Sequence, residues 1–256
     1  MSQRATPVVF VHGVGLDHTM WDAVLSRISG DRLFRYDMIA HGQTLTPPGP
    51  YRLKDFVDQL AAFAANEGLG HFDLVGFSMG ALVAQSFAAA YPACVRRMVL
   101  LNAVFDRTLA EREAVIERVA DVRAGGYSAS VNAALSRWFS EEFATEQPEV
   151  VAAISSRMAN NNESAYADAY EVFATADAEI VHVAEKIAAP TLVITGSDDA
   201  RSTPEMSYLL AAAMPDARVH IIDGVRHLTP LECPDIVAEL IEGFLAEPND
   251  HRKGAK

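Results

Sequence analysis

The sequence predicts an α/β fold: a mostly parallel sheet of about six strands, flanked by helices, with a helical segment inserted before the strand at 191–196. Three observations carry that prediction. Short apolar runs rich in β-branched residues recur along the chain. Most are followed by a segment with apolar residues at three- and four-residue intervals, the mark of one helix face. Between residues 107 and 188 the strand signal disappears, and only helical patterns remain.

The elements follow in order. "VVFV" (8–11) reads as the first strand and ends at His12-Gly13. "LFRYD" (33–37) is the second, and a polar loop, "MIAHGQTLTPPGP", follows it. Residues 52–67 place Leu53, Phe56, Val57, Leu60 and Phe63 on one helical face. "FDLVGF" (72–77) is a strand and "MGALVAQSFAAAY" (79–91) a helix closed by Pro92. "VRRMVLL" (95–101), "TLVITG" (191–196) and "ARVHIID" (217–223) complete the strands, with helical patterns at 204–213 and 234–246. The intervening segment holds "TLAEREAVIERVADVRAGG", "SASVNAALSRWF" and "PEVVAAISSRMANNNESAYADAYEVFATAD". It is expected to form a helical cap (107–188) on a core made of residues 1–106 and 189–247, with 248–256 a disordered tail.

With 256 residues, half of them hydrophobic, the chain is long enough for one large domain or a domain with an insert. No apolar run approaches the roughly 18 residues of a membrane span. The N-terminus lacks the pattern of a signal peptide, so the expected location is the cytoplasm. A net charge of -13 argues against nucleic acid and anionic membranes as partners, and disfavours an anionic substrate unless arginines correct the field locally. The two cysteines, Cys94 and Cys233, make neither a disulfide framework nor a zinc pattern and are expected to be buried free thiols.

Where the third strand becomes a helix, the chain reads Gly76-Phe77-Ser78-Met79-Gly80. A serine hydroxyl attacks a carbonyl only when it stands clear of its backbone and a base takes its proton. A sharp strand-to-helix turn supplies the first condition, and glycines on either side relieve the crowding that such a turn creates. The bland alternative is a glycine-containing strand end with a serine helix cap. The partners weigh against it. A histidine base needs a carboxylate to orient it. "TLVITG" is followed by "SDDARSTP", with Asp198 and Asp199, and "ARVHIID" is followed by "GVRHLTP", with His227. Three strand ends thus offer nucleophile, acid and base in the order this architecture requires, at the sheet edge where catalytic groups gather. His12 and His41 each precede a glycine in a post-strand loop, where a structural hydrogen-bonding role is expected. For an oxyanion, the donors expected are the N–H groups of Met79, just after the serine, and Val14, in "HGVG".

These segments resemble the α/β-hydrolase superfamily over nearly the whole chain: "VVFVHGVGLDHTMW", "RYDMIAHGQT", "LVGFSMGALVAQSFA", "PTLVITGSDDARSTP" and "GVRHLTPLECPDIVAELIEGFL". Within it, "GLDHTMWDAVL" and "SRWFSEEFATEQPEVVAAI" are similar to the 3-oxoadipate enol-lactonases and related small carboxylic-ester hydrolases. The resemblance places the acid three residues past the strand-end glycine, which selects Asp199 and leaves Asp198 as a turn residue. It implies a serine hydrolase that cleaves a small ester or lactone through an acyl-enzyme, with no metal or cofactor. An enol-lactone substrate bears a carboxylate, and Arg137 beside Trp138 is the candidate to receive it; each residue has an ordinary alternative, an exposed helix arginine and a cap-core aromatic. Carbon–carbon hydrolysis of a meta-cleavage diketone is the alternative chemistry, although Phe77 stands where those enzymes usually have asparagine. A ligand receptor that keeps the hydrolase pocket is the alternative from another class. Only seven residues precede the first strand, so the two additional strands that usually open this fold are not expected, and "LFRYD" should lie near an exposed edge, where pairing into a homodimer is open to it.

Overall fold

The computed structural model describes residues 6–248. Six strands form a single sheet: β1 (Val8–Val11), β2 (Leu33–Tyr36), β3 (Phe72–Phe77), β4 (Val95–Leu101), β5 (Thr191–Gly196) and β6 (Ala217–Ile222). Their order is β2-β1-β3-β4-β5-β6, and every pairing is parallel. The segment "LFRYD" supplies one edge, as its place in the sequence led us to expect, and β6 supplies the other. The central strands β1, β3 and β5 are buried along their full length, whereas Arg218 and His220 of β6 face solvent.

Alternate residues of each strand point to opposite faces, so the sheet feeds two apolar layers. Val9, Val11, Leu74 and Leu100 enter one, with helices α2 (Leu53–Asn66) and α3 (Met79–Ala90); Phe10, Val75, Val99 and Ile194 enter the other, with Trp21 just before the short α1 (Asp22–Leu25). Each such side chain taken fully out of water contributes roughly 1.5–3 kcal/mol.

Six helices lie between β4 and β5: α4 (Leu109–Asp121), α5 (Tyr127–Trp138), α6 (Glu141–Glu146), α7 (Pro148–Ala159), α8 (Glu163–Thr175) and α9 (Asp177–Ile180). Thr108 opens α4 with a capping box, its side chain accepting from the Glu111 N–H while Glu111 reaches back. A π-helical turn, with Gly125 at φ 92°, joins α4 to α5. The stretch 148–177 is two helices, because Asn162 caps the start of α8 and breaks the run. α10 (Pro204–Ala213), α11 (Thr229–Glu232) and α12 (Pro234–Ala246) complete the fold. One expectation changes. Cys94 and Cys233 are free, but only half-buried, since each lies at the end of an element and not within the sheet core. All but Pro248 of the tail expected at 248–256 lies outside the described residues. Among the described residues no helix is long and apolar enough to cross a membrane.

Candidate active site

Ser78 sits between β3 and α3 at φ 53°, ψ −113°, a conformation that non-glycine residues rarely hold. Its N–H donates to the Leu101 carbonyl at 2.9 Å, tying the turn to β4. The flanking glycines are sterically required. A Cβ on Gly76 would come within 2.5 Å of the Gly80 carbonyl oxygen, and one on Gly80 within 2.3 Å of the Val11 carbonyl oxygen. The turn therefore needs both glycines and holds Ser78 at the carboxyl edge of the sheet.

The loop after β6 brings His227 to the same place. Its ring Nδ1 lies 2.6 Å from Asp199 Oδ2, and both residues are buried. A carboxylate only accepts, so Nδ1 carries the proton in this contact, and the neutral ring keeps its lone pair at Nε2. The rest of Asp199 is equally occupied. Oδ1 accepts the N–H groups of Arg201 and Ser202 at 2.9 and 3.0 Å, and Oδ2 accepts Asn102 Nδ2 at 2.9 Å. Burial pushes the Asp199 carboxyl up, but attraction to His227 and the hydrogen bonds from His227, Ser202 and Asn102 outweigh it and hold the group below its ordinary value. Asp198 is exposed, and among the described residues its carboxylate takes only the Ser197 hydroxyl.

Asn102, at the end of β4, escaped the sequence reading. It sits at φ 48°, donates to Asp199 and accepts the Thr229 hydroxyl at 2.6 Å. The one available signal was its position just past a strand's carboxyl end.

The loop after β1 passes beside Ser78. Among the described residues, neither the Val14 N–H nor the Met79 N–H has a hydrogen-bond acceptor; Met79 opens α3, where the first N–H groups lack intrahelical partners. Two side chains hold the Val14 loop. His12 Nδ1 donates to the Gly13 carbonyl at 2.8 Å, while its Nε2 accepts the Met38 N–H at 2.9 Å. Asn161, from the inserted helices, donates to the Gly15 carbonyl at 2.9 Å. His41 packs on His12 with ring centroids 5.1 Å apart. Burial pushes the His12 pKa down to about 4 and that of His41 down to about 3, so neither is charged at neutral pH.

Ser78, His227, Val14 and Trp138 all line one cavity, which residues of α4, α5 and α8 also line, including Arg118, Arg137, Tyr166 and Tyr170. Trp138 belongs both to this lining and to the apolar packing. Its ring stacks on His227 at 6.0 Å, and its carbonyl accepts the N–H groups of His227 and Leu228, each at 3.1 Å. Arg137 lines the cavity, and among the described residues no carboxylate is in ion-pair reach of it. Among the described residues, no three His, Cys, Asp or Glu side chains gather to hold a metal ion.

Comparison with known proteins agrees with this architecture. The chain is 33% identical over 244 residues to the (E)-2-((N-methylformamido)methylene)succinate hydrolase of Acinetobacter baylyi, covering 93% of this chain and 90% of that protein. It is 25% identical to 3-oxoadipate enol-lactonase 2 of the same organism, covering 94% and 89%. The crystal structure of the enol-lactonase from Burkholderia xenovorans superposes with a TM-score of 0.89 at 27% identity, over 96% of this chain and 93% of that one. The sequence profile of the alpha/beta hydrolase family matches residues 8–240. With this match, the parallel sheet and named hydrolases among its relatives, the chain belongs to the alpha/beta hydrolase family and is a hydrolase.

Proposed function

We propose that this hydrolase cleaves a small carboxylic ester or lactone with Ser78 as nucleophile, through an acyl-enzyme. The observation that carries the reading is the convergence at one cavity of a strained, glycine-flanked serine and a histidine whose far nitrogen is fixed on a buried carboxylate. His227 Nε2 takes the Ser78 proton as Oγ attacks the carbonyl carbon. The carbonyl oxygen gains the negative charge and is held by the free N–H groups of Val14 and Met79. Asp199 keeps the ring in the required tautomer and stabilises the imidazolium. The imidazolium then returns its proton to the leaving oxygen as that bond breaks. Water, deprotonated by His227, attacks the acyl-enzyme and releases the acid. The segment 107–188 serves as the cap that closes the site, with Trp138 and Arg137 facing the substrate.

A second reading is favoured by the 33% identical relative, whose substrate name describes an N-acyl enamine and not an ester. The same residues would serve, with nitrogen as the leaving atom. Labelling with a fluorophosphonate probe tests the common machinery. Wild-type protein should be labelled stoichiometrically and Ser78→Ala not at all. Equal labelling of the two would refute the assignment of Ser78, and a protein with no labelling would fit a receptor instead.

A further inference from the structure

The cavity over Ser78 is positively charged in a chain whose net charge is -13. Its wall contains four arginines, Arg107, Arg118, Arg137 and Arg201, against one carboxylate, Glu111. Asp177 pairs with Arg107, accepting its N–H at 3.0 Å and its Nη1 at 3.2 Å, and also accepts Arg112 Nη2 at 3.1 Å. Glu111 is committed to capping α4, its Oε2 accepting the N–H and hydroxyl of Thr108, each at 2.8 Å. Setting Asp177 against Arg107 and Glu111 against one more arginine leaves two positive charges in the wall.

Among the described residues, the arginines left over have no anionic partner. Arg118 donates to the Tyr170 hydroxyl at 3.2 Å. Among the described residues no carboxylate lies within ion-pair distance of Arg118, Arg137 or Arg201. Arg118 and Arg137 are half-buried, and together with Asp121 they also border an outer groove along α4 and α5, whereas Arg201 comes from the β5 loop, two residues past Asp199, is exposed and does not border that groove. Burial, and then the proximity of Arg118 and Arg201, weigh against the charge on Arg137, with Tyr170 opposing them. Guanidinium groups do not shed their protons under such pressure, so the cost persists until an anion enters. Each also offers a fork of N–H donors that matches a carboxylate in two places.

From this charge balance we propose that the site takes a small substrate bearing two carboxylates, held by Arg118, Arg137 and Arg201 while its scissile carbonyl faces Ser78. The inference deepens the ester or lactone reading above and rests on it for the position of the carbonyl. A neutral ester would leave both excess charges unpaired, and a monoanion would leave one.

Binding measurements separate the inference from the chemistry. The probes are succinate, glutarate and adipate, each beside its half-amide and its diamide, titrated calorimetrically into wild-type protein at low ionic strength. At least one diacid should bind about tenfold or more tightly than its half-amide, because a charged hydrogen-bonded pair is worth more than about 1.4 kcal/mol. Arg118→Gln, Arg137→Gln and Arg201→Gln should each reduce that ratio severalfold, and Arg137→Lys should retain part of it. Since the reading is a ratio within one variant, partial loss of folded protein cancels. Diacids that bind no better than their half-amides, diacids that do not bind, or variants that keep the full preference would overturn the proposal. Ser78→Ala should retain the preference. Loss of fluorophosphonate labelling with diacid binding intact would therefore refute the hydrolase mechanism alone, and labelling without diacid preference would refute this inference alone.

Discussion

His41→Phe should flatten the acid side of the stability curve, by an amount that follows from the burial of one ring. His41 is 2% exposed, stacked edge-on against His12, and burial pushes its pKa down to about 3. In the unfolded chain an imidazole titrates near 6.5. The unfolded state therefore takes up a proton that the folded state refuses. The stability this group contributes is fully present above about 6.5 and is lost as pH falls from there towards about 3. Between pH 7 and pH 5 the linkage relation gives a loss of about 2 kcal/mol from His41 alone. Phenylalanine cannot titrate, so this share of the loss should vanish. At pH 7 the substitution costs roughly 1 kcal/mol through the lost bond from Nδ1 to the Ile39 carbonyl, offset in part because Nε2 is buried with no partner. The assay is urea unfolding followed by circular dichroism at the two pH values. Wild-type protein should lose about 2 kcal/mol more than the variant between them. Equal losses would mean that His41 is not held neutral by burial, and that the packing of this ring pair behind the Val14 loop has been misread.

Other expectations concern the site itself. Asp199→Asn should lower kcat by about 10⁴-fold, the scale seen when such a carboxylate is neutralised, while Asp198→Asn should cost far less; a reversal in kinetic assays would reassign the acid. Asn102→Gly keeps a backbone that tolerates φ 48° but removes a donor to Asp199, so kcat should fall about tenfold, and an unchanged rate would make Asn102 a packing residue. Ser78→Ala should abolish turnover with little change in melting temperature, and surviving turnover would sink the mechanism. Trp138→Ala should change kcat/KM unequally for short and long acyl esters, because discrimination is differential transition-state binding. A uniform loss with a lowered melting temperature would remove its ring from the site.

Much of this was legible in the chain because the signals are local. β-branched runs such as "VVFV" and "TLVITG" mark strands buried on both faces, and the face carrying Leu53, Phe56, Val57 and Leu60 marks α2. Gly76 and Gly80 announce the turn at Ser78 because a Cβ at either would strike backbone. The break at Asn162 was less legible, since its capping role depends on one side-chain bond within a continuous helical pattern.

Sequence alone determined the strand order along the chain, the turn at Ser78 and the residue types waiting at three strand ends, since each depends on spacing within one element. Spacing alone leaves Asp198 and Asp199 alike, and only the resemblance to known hydrolases separates them. In space they differ because a one-residue step turns one carboxylate to solvent and the other onto His227. Asn102 and Thr229 are 127 residues apart and meet only because β4 and the loop after β6 end at the same edge. The positive cavity was equally invisible. Arg118, Arg137 and Arg201 come from three elements, and the carboxylates that neutralise their neighbours come from others. In a chain of net charge -13, only the packing of the inserted helices over the sheet decides which charges are paired and which remain to meet a ligand.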